Sequence, residues 1–116
     1  MARLKKVLLW VVTILLGFVF LMTGTNKLGG HPSMAEKFAD WGYAPWFLLV
    51  IGVIEVGGAI ALVIPRIARF GGYALVPVML GAAVTHVRAG EWPNPLFNLL
   101  FATGLFWIAR SRTARP

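Results

Sequence analysis

Four long apolar stretches take up most of this 116-residue chain and leave few ways for it to fold. They cover residues 7–26, 41–65, 70–87 and 92–109, and Glu55 is the only Asp, Glu, Lys or Arg within them. A hydrocarbon core of about 30 Å needs about 20 helical residues, so each stretch is long enough to cross a bilayer. We therefore predict an all-α, integral membrane four-helix bundle.

Composition supports this class over a soluble domain, because 59% of the residues are hydrophobic and only 13% are charged. Charges, prolines and glycines then set the expected helix boundaries, at about residues 6–27, 46–64, 70–88 and 95–110. Too little chain remains outside these helices for a soluble catalytic domain. We expect a single transmembrane domain over residues 1–116.

The longest connection, between the first two of these helices, carries a helix start signal of its own. Ser33 followed by Glu36 fits a capping box, and Met34, Phe38 and Trp41 then recur at helical spacing on one face. We predict a short helix lying along the membrane interface. The alternative is a solvated loop whose amphipathic pattern arises by chance.

The basic residues indicate topology rather than nucleic-acid binding. Most of the eleven Lys and Arg residues are grouped at the N-terminus, after the second long helix and in the C-terminal tail: Arg3, Lys5, Lys6, Arg66, Arg69, Arg110, Arg112 and Arg115. Because basic connections stay on the cytoplasmic side, we expect a multi-pass protein of the cell membrane with both termini in the cytoplasm. The expected partner is the lipid bilayer, and nucleic acid is not expected.

Glu55 lies near the centre of the second helix, where an acid costs about 2.5–3.5 kcal/mol and needs a partner. On the outer side of the bundle the other helices supply Lys27, His86, Arg88 and Asn98. In one interpretation Lys27 or Arg88 pairs with Glu55, and the remaining groups complete a structural hydrogen-bond network. In the other, the five residues line a small cavity that exchanges protons or holds a polar head group. A third possibility is that His86 is simply interfacial.

Several kinds of chemistry lack the residues that they need. The chain has no cysteine, its two histidines are far apart, and it contains neither a nucleotide-binding glycine motif nor a Ser/His/Asp pattern. We therefore expect no metal site, no intrinsic cofactor and no enzyme activity of this chain on its own. Glu55 and His86 are the only candidates for a catalytic role.

Two motifs resemble those of the DoxX family: Gly24-Thr-Asn-Lys27-Leu at the end of the first helix and Gly52-Val-Ile-Glu55-Val-Gly-Gly58 in the second. The resemblance spans nearly the whole chain, and His86 matches a further recurring polar position. It implies a four-helix membrane bundle. The family takes its name from a membrane subunit of a thiosulfate:quinone oxidoreductase, and other relatives look like assembly factors or chaperones for membrane proteins.

Three functional classes remain open after this resemblance. In the first, the chain is a membrane subunit of a quinone-linked redox complex, and the five polar residues form a quinone head-group or proton site fed with electrons by a partner. In the second, it is a non-catalytic anchor or assembly factor that docks against another membrane protein. In the third, it is a small transporter, which would need several copies because one four-helix chain makes a poor pore. The expected protein partner is another subunit or a second copy.

Overall fold

Five α-helices account for most of residues 2–29 and 32–113, which are the residues that the computed structural model describes. They are α1 (Ala2–Leu28), α2 (Pro32–Asp40), α3 (Pro45–Leu62), α4 (Ala68–Ala89) and α5 (Asn94–Thr113). No strand occurs within the described ranges. The all-α prediction is confirmed, and so is the short helix α2 between the first two long helices. Its position at a membrane interface stays a prediction.

Three of the described helices, α1, α3 and α4, have the length and apolar character needed to cross a membrane. The helix α5 is not among them although it contains 20 residues, enough for about 30 Å. Its sequence includes Asn94, Asn98, Arg110 and Arg112, which lower its mean hydropathy. The fourth membrane span therefore stays a prediction.

The helix boundaries differ from the expected ones by a few residues for local reasons. The helix α3 ends at Leu62, two residues early, because Pro65 disfavours helical backbone in the residue before it. The chain closes there with tight turns in which Val63 and Ile64 donate to the carbonyls three residues back. At its own end, α4 is capped by Gly90 in the left-handed region, at φ 70°, as its sequence predicts.

The helix α1 packs closely against α3 through glycines. A Cβ atom at Gly24 would lie 2.7 Å from the Cγ2 atom of Val56 and 3.0 Å from the carbonyl oxygen of Gly52. Such distances leave room only for a hydrogen, so the two backbones approach directly. This contact fixes the register between α1 and α3.

The helix α4 lies between α3 and α5. A Cβ atom at Gly71 would lie 2.7 Å from the carbonyl oxygen of Gly58 in α3, and one at Gly72 would lie 2.9 Å from that of Leu105 in α5. Gly58 itself faces the Leu75 side chain, so a larger residue at Gly58 would displace it. The most completely buried large apolar side chains lie along these contacts: Phe20, Leu62, Leu75, Leu105 and Ile108.

Candidate functional site

A buried ion pair joins α1 to α3. The Nζ atom of Lys27, in the last turn of α1, donates to the Oε1 atom of Glu55 at 2.6 Å. The Thr23 hydroxyl, one turn earlier, lies 3.3 Å from the other carboxylate oxygen and also 3.3 Å from the Phe20 carbonyl oxygen, and either can accept its hydrogen. The Glu55 side chain is 2% exposed and that of Lys27 is 10% exposed. The acid in α3 therefore has the Lys27 partner that its position demands, held by the close packing of α1 on α3.

A cavity of about 510 Å³ lies beside this pair. It occupies the half of the bundle that carries α2, hereafter the α2 half, where α1 and α4 end and α3 and α5 begin. Its polar lining consists of Thr23, Lys27, Lys37, Tyr43, Glu55, Thr85, His86, Asn94 and Asn98. The rest is mainly apolar, with the aromatic side chains Phe20, Phe38, Trp41, Phe47 and Phe101. The cavity thus combines a few polar groups with flat apolar walls, as small-molecule sites do.

His86 lines the cavity but does not contact Glu55 through any hydrogen bond of the described residues. Its Nδ1 atom lies 2.7 Å from the Oε1 atom of Glu91, just beyond the Gly90 cap. The edge of its ring meets Trp41, with 5.3 Å between ring centroids. The imidazole is therefore oriented by its own carboxylate at the end of α4, and its remaining nitrogen is the one left for a ligand.

A second polar contact ties the segment after α2 to α4. The Thr85 hydroxyl donates to the carbonyl oxygen of Gly81 at 2.9 Å and lies 2.5 Å from the Tyr43 hydroxyl. Because the Thr85 hydrogen is already used, Tyr43 is the donor in this pair. The Tyr43 ring in turn packs edge-on against Phe38 of α2, with 5.7 Å between centroids. These contacts hold α2 over the end of the cavity.

The remaining two expected site residues are separated by the fold. Asn98 lines the cavity, and its amide nitrogen lies 3.6 Å from the Met79 sulfur. Arg88 is exposed and does not line the cavity; it borders a separate space of about 180 Å³ together with Asp40 and Thr85. The structure thus brings Lys27, Glu55, His86 and Asn98 to one cavity and places Arg88 outside it.

Comparison with known proteins places the chain in a family. A family model described as the DoxX-like family matches residues 11–108. The chain belongs to the DoxX-like family. An uncharacterised protein of Bacillus subtilis (strain 168), YdgD, is 31% identical over an alignment of 81 residues that covers 66% of this chain and 71% of that protein. No solved structure matches the chain. With its three apolar spans, this DoxX-like chain is a membrane protein.

Sequence reasoning missed several residues of the DoxX-like site. Thr23 carries a signal, because it lies four residues before Lys27 on the same face of a helix. Tyr43 and Glu91 carry none, since each reaches its partner through a loop whose path the sequence does not specify. The aromatic walls of the cavity were equally hidden among many apolar residues.

The two interpretations of the polar cluster turn out to be compatible in geometry. The Lys27–Glu55 pair is closed and hydrogen-bonded, as a structural lock requires. Lys27, His86 and Asn98 line the cavity beside it. Within residues 2–29 and 32–113, no group of three His, Asp or Glu side chains is close enough to hold a metal ion. What the arrangement offers is hydrogen bonding and proton exchange beside an apolar pocket.

Proposed function

We propose that this DoxX-like protein is a membrane subunit of a redox complex and binds a quinone head group in the cavity of the α2 half. The observation that carries this proposal is the cavity of about 510 Å³ placed directly against the buried Lys27–Glu55 pair. The family's link to quinone chemistry gives the class of ligand. Another protein is the proposed electron donor, because this chain has no cysteine.

The lining of the cavity fits a quinone in size and in chemistry. Its volume falls within the range of about 300–1,000 Å³ for small-molecule sites. The rings of Phe38, Phe47 and Phe101 offer flat apolar surfaces to a ring. Lys27 has hydrogens beyond the one donated to Glu55, and the Asn98 amide is a further donor, so both suit carbonyl oxygens.

The residues of the chain also supply what proton-coupled chemistry needs. A bound quinone supplies redox chemistry in which two electrons and two protons are taken up together. His86, oriented by Glu91, is the side chain of the cavity best suited to pass a proton. Glu55 remains engaged by Lys27 and Thr23, so its part is to hold the lysine in place.

The same proposal includes four membrane spans and cytoplasmic termini. The helix α5 packs along α4, and its Arg112 guanidinium lies over the Trp10 ring of α1, 4.9 Å from the ring centroid. The first helix therefore begins at the end of the bundle where α5 ends. Arg66, in the turn between α3 and α4, and Arg69, in the first turn of α4, belong to that end too, while Arg115 lies outside the described residues. A single basic end supports its placement in the cytoplasm.

Ligand-dependent thermal stability of the purified protein tests the quinone site. A short-chain quinone should raise the unfolding temperature of wild type, but not of Ala82→Trp, in which an indole fills the cavity. The matched control is Ala74→Trp on the exposed face of α4, which should respond as wild type does. Glu55→Ala removes the group that holds Lys27 and should lose the response as well. Equal stabilisation of wild type, Ala82→Trp and Glu55→Ala would refute the proposal.

A further inference from the structure

The helices α1 and α5 contact each other in the half of the bundle away from α2. There, a Cβ atom at Gly104 of α5 would lie 3.1 Å from the Cδ1 atom of Leu16. Towards the middle of the bundle, Phe20 and Phe101 meet edge to face, with 6.2 Å between ring centroids. Both rings also line the cavity, so this aromatic pair forms its floor.

On the α2 side of this aromatic pair, α1 packs against α3 and α5 packs against α4. Gly24 and Lys27 of α1 are held against α3 by backbone contact and by the ion pair. Asn98 of α5 is directed to α4, where its amide meets Met79. The half-buried Val19 of α1 also lines the cavity in this region. The cavity therefore extends between the two helices, which define a gap, hereafter the α1–α5 gap.

The end of the cavity nearest α2 is covered by protein. The helix α2 lies across it with Phe38, which is buried, and the next residue after α2, Trp41, contacts the His86 ring. The hydrogen bond between Tyr43 and Thr85 fastens the following segment to α4. Among the described residues, no hydrogen bond or ring contact joins α1 to α5 on the α2 side of the Phe20–Phe101 pair.

The surface on both sides of the α1–α5 gap is apolar. Met22 of α1 and Phe97 and Leu100 of α5 are large, exposed hydrophobic residues in this region. In a membrane protein such a surface faces the hydrocarbon of the lipid. A molecule passing between α1 and α5 would therefore come from the bilayer and not from water.

We infer that the site takes its ligand sideways from the bilayer through the α1–α5 gap, and that the ligand is an amphiphile whose apolar tail stays in the lipid. This rests on the proposed function only in assuming that the cavity binds a ligand. A head group that accepts hydrogen bonds meets Lys27 and Asn98 inside the cavity. A long tail exceeds the volume of about 510 Å³ and leaves by the gap.

The absence of cysteine from the chain allows a direct test that needs no quinone. A single thiol is introduced into the cavity as Ala82→Cys, and the protein is placed in lipid vesicles or nanodiscs. An N-alkyl maleimide dissolved in the lipid should label this thiol, whereas a charged maleimide confined to water should label it far more slowly. The exposed Ala89→Cys at the end of α4 is the reference thiol for both reagents, because a maleimide reacts with the thiolate, which forms in water and not in hydrocarbon.

Blocking each route separately identifies the entrance. Val19→Trp at the gap should slow alkyl labelling of Ala82→Cys by about tenfold or more. Its control is Phe18→Trp, the neighbouring residue that points outward and is 63% exposed, which should leave the rate unchanged. Met34→Trp, on the α2 side of the cavity, should also leave it unchanged. Labelling of Ala89→Cys in each background checks the amount of reactive protein, and thermal unfolding shows that the variants remain folded.

Two outcomes would overturn the lateral entrance. One is labelling of Ala82→Cys by the charged reagent as fast as by the alkyl reagent. The other is slowing by Met34→Trp with no effect of Val19→Trp, which would place the entrance beneath α2. If the gap behaves as expected but quinone stabilises no variant, the lateral entrance stands and the quinone proposal fails, so the two results are separable.

Discussion

The Lys27–Glu55 pair gives the sharpest prediction about stability. Lys27→Met keeps the length of the side chain but leaves the Glu55 carboxylate, 2% exposed, with only the Thr23 hydroxyl at 3.3 Å. A buried charge that loses its partner costs about 3–5 kcal/mol, so the free energy of unfolding should fall by that amount. Glu55→Leu should cost less, because the long stem of Lys27, at the end of α1, lets its ammonium reach the aqueous boundary.

The double variant Lys27→Met/Glu55→Leu completes the cycle. Since it removes both charges and fills their volume with apolar atoms, its free energy of unfolding should lie within about 1 kcal/mol of wild type or above it. The four proteins are compared by reversible unfolding with dodecyl sulfate in mixed micelles, followed by circular dichroism. The coupling free energy between the two positions should be about 3 kcal/mol or more. Additive losses in the double variant would refute the reasoning.

Four further substitutions test the glycine packing, the cap and the Glu91–His86 contact with the same unfolding measurement. Gly24→Ala should lower the free energy of unfolding by about 1–3 kcal/mol, because its Cβ would lie 2.9 Å from the backbone nitrogen of Val56. The matched control is Gly57→Ala, whose Cβ would have nothing within 4 Å. It should raise the free energy of unfolding by about 0.8–1.0 kcal/mol, because Ala has a higher helix propensity than Gly. A loss in Gly57→Ala as large as in Gly24→Ala would contradict the close approach of α1 and α3. Gly90→Ala should cost about 1–2 kcal/mol, because φ there is 70°, and no loss would show that the cap readily rearranges. Glu91→Gln should change stability by less than about 1 kcal/mol, since the Glu91 side chain is 34% exposed, and a larger loss would mean that its bond to His86 is part of the core.

The sequence was sufficient to propose Lys27 as a partner of Glu55. It was also sufficient to place Arg88 on the side of its helix opposite His86. A carboxylate in an apolar helix needs a cation, and Lys27 is the cation nearest to its depth in the neighbouring span. His86 and Arg88 are two residues apart in one helix, so they point to nearly opposite sides. When His86 faces the cavity, Arg88 must face away from it, and the structure places it so.

The cavity itself could not be predicted from the sequence. The cavity forms because α1 packs against α3 and α5 packs against α4. Both packings depend on close backbone contacts, at Gly24 and at Gly72. Helical periodicity shows which face of a helix is small, but it does not show which neighbour that face will meet. The pairing of Glu91 with His86 likewise depends on the reversal of the chain at Gly90, which brings residue 91 back beside the last turn of α4.

The order of the two charged residues along the chain has a consequence for how the protein is made. Synthesis proceeds from the N-terminus, so α1 enters the membrane before α3 emerges. On its own, α3 would carry an unpaired acid into lipid at a cost of about 2.5–3.5 kcal/mol. Because α1 already presents Lys27 at its end and glycine at the contact face, α3 can insert against a ready partner. Because of this order of synthesis, the first helix is available as an insertion partner for the third, and the ion pair of the finished bundle lowers the cost of placing Glu55 in the membrane.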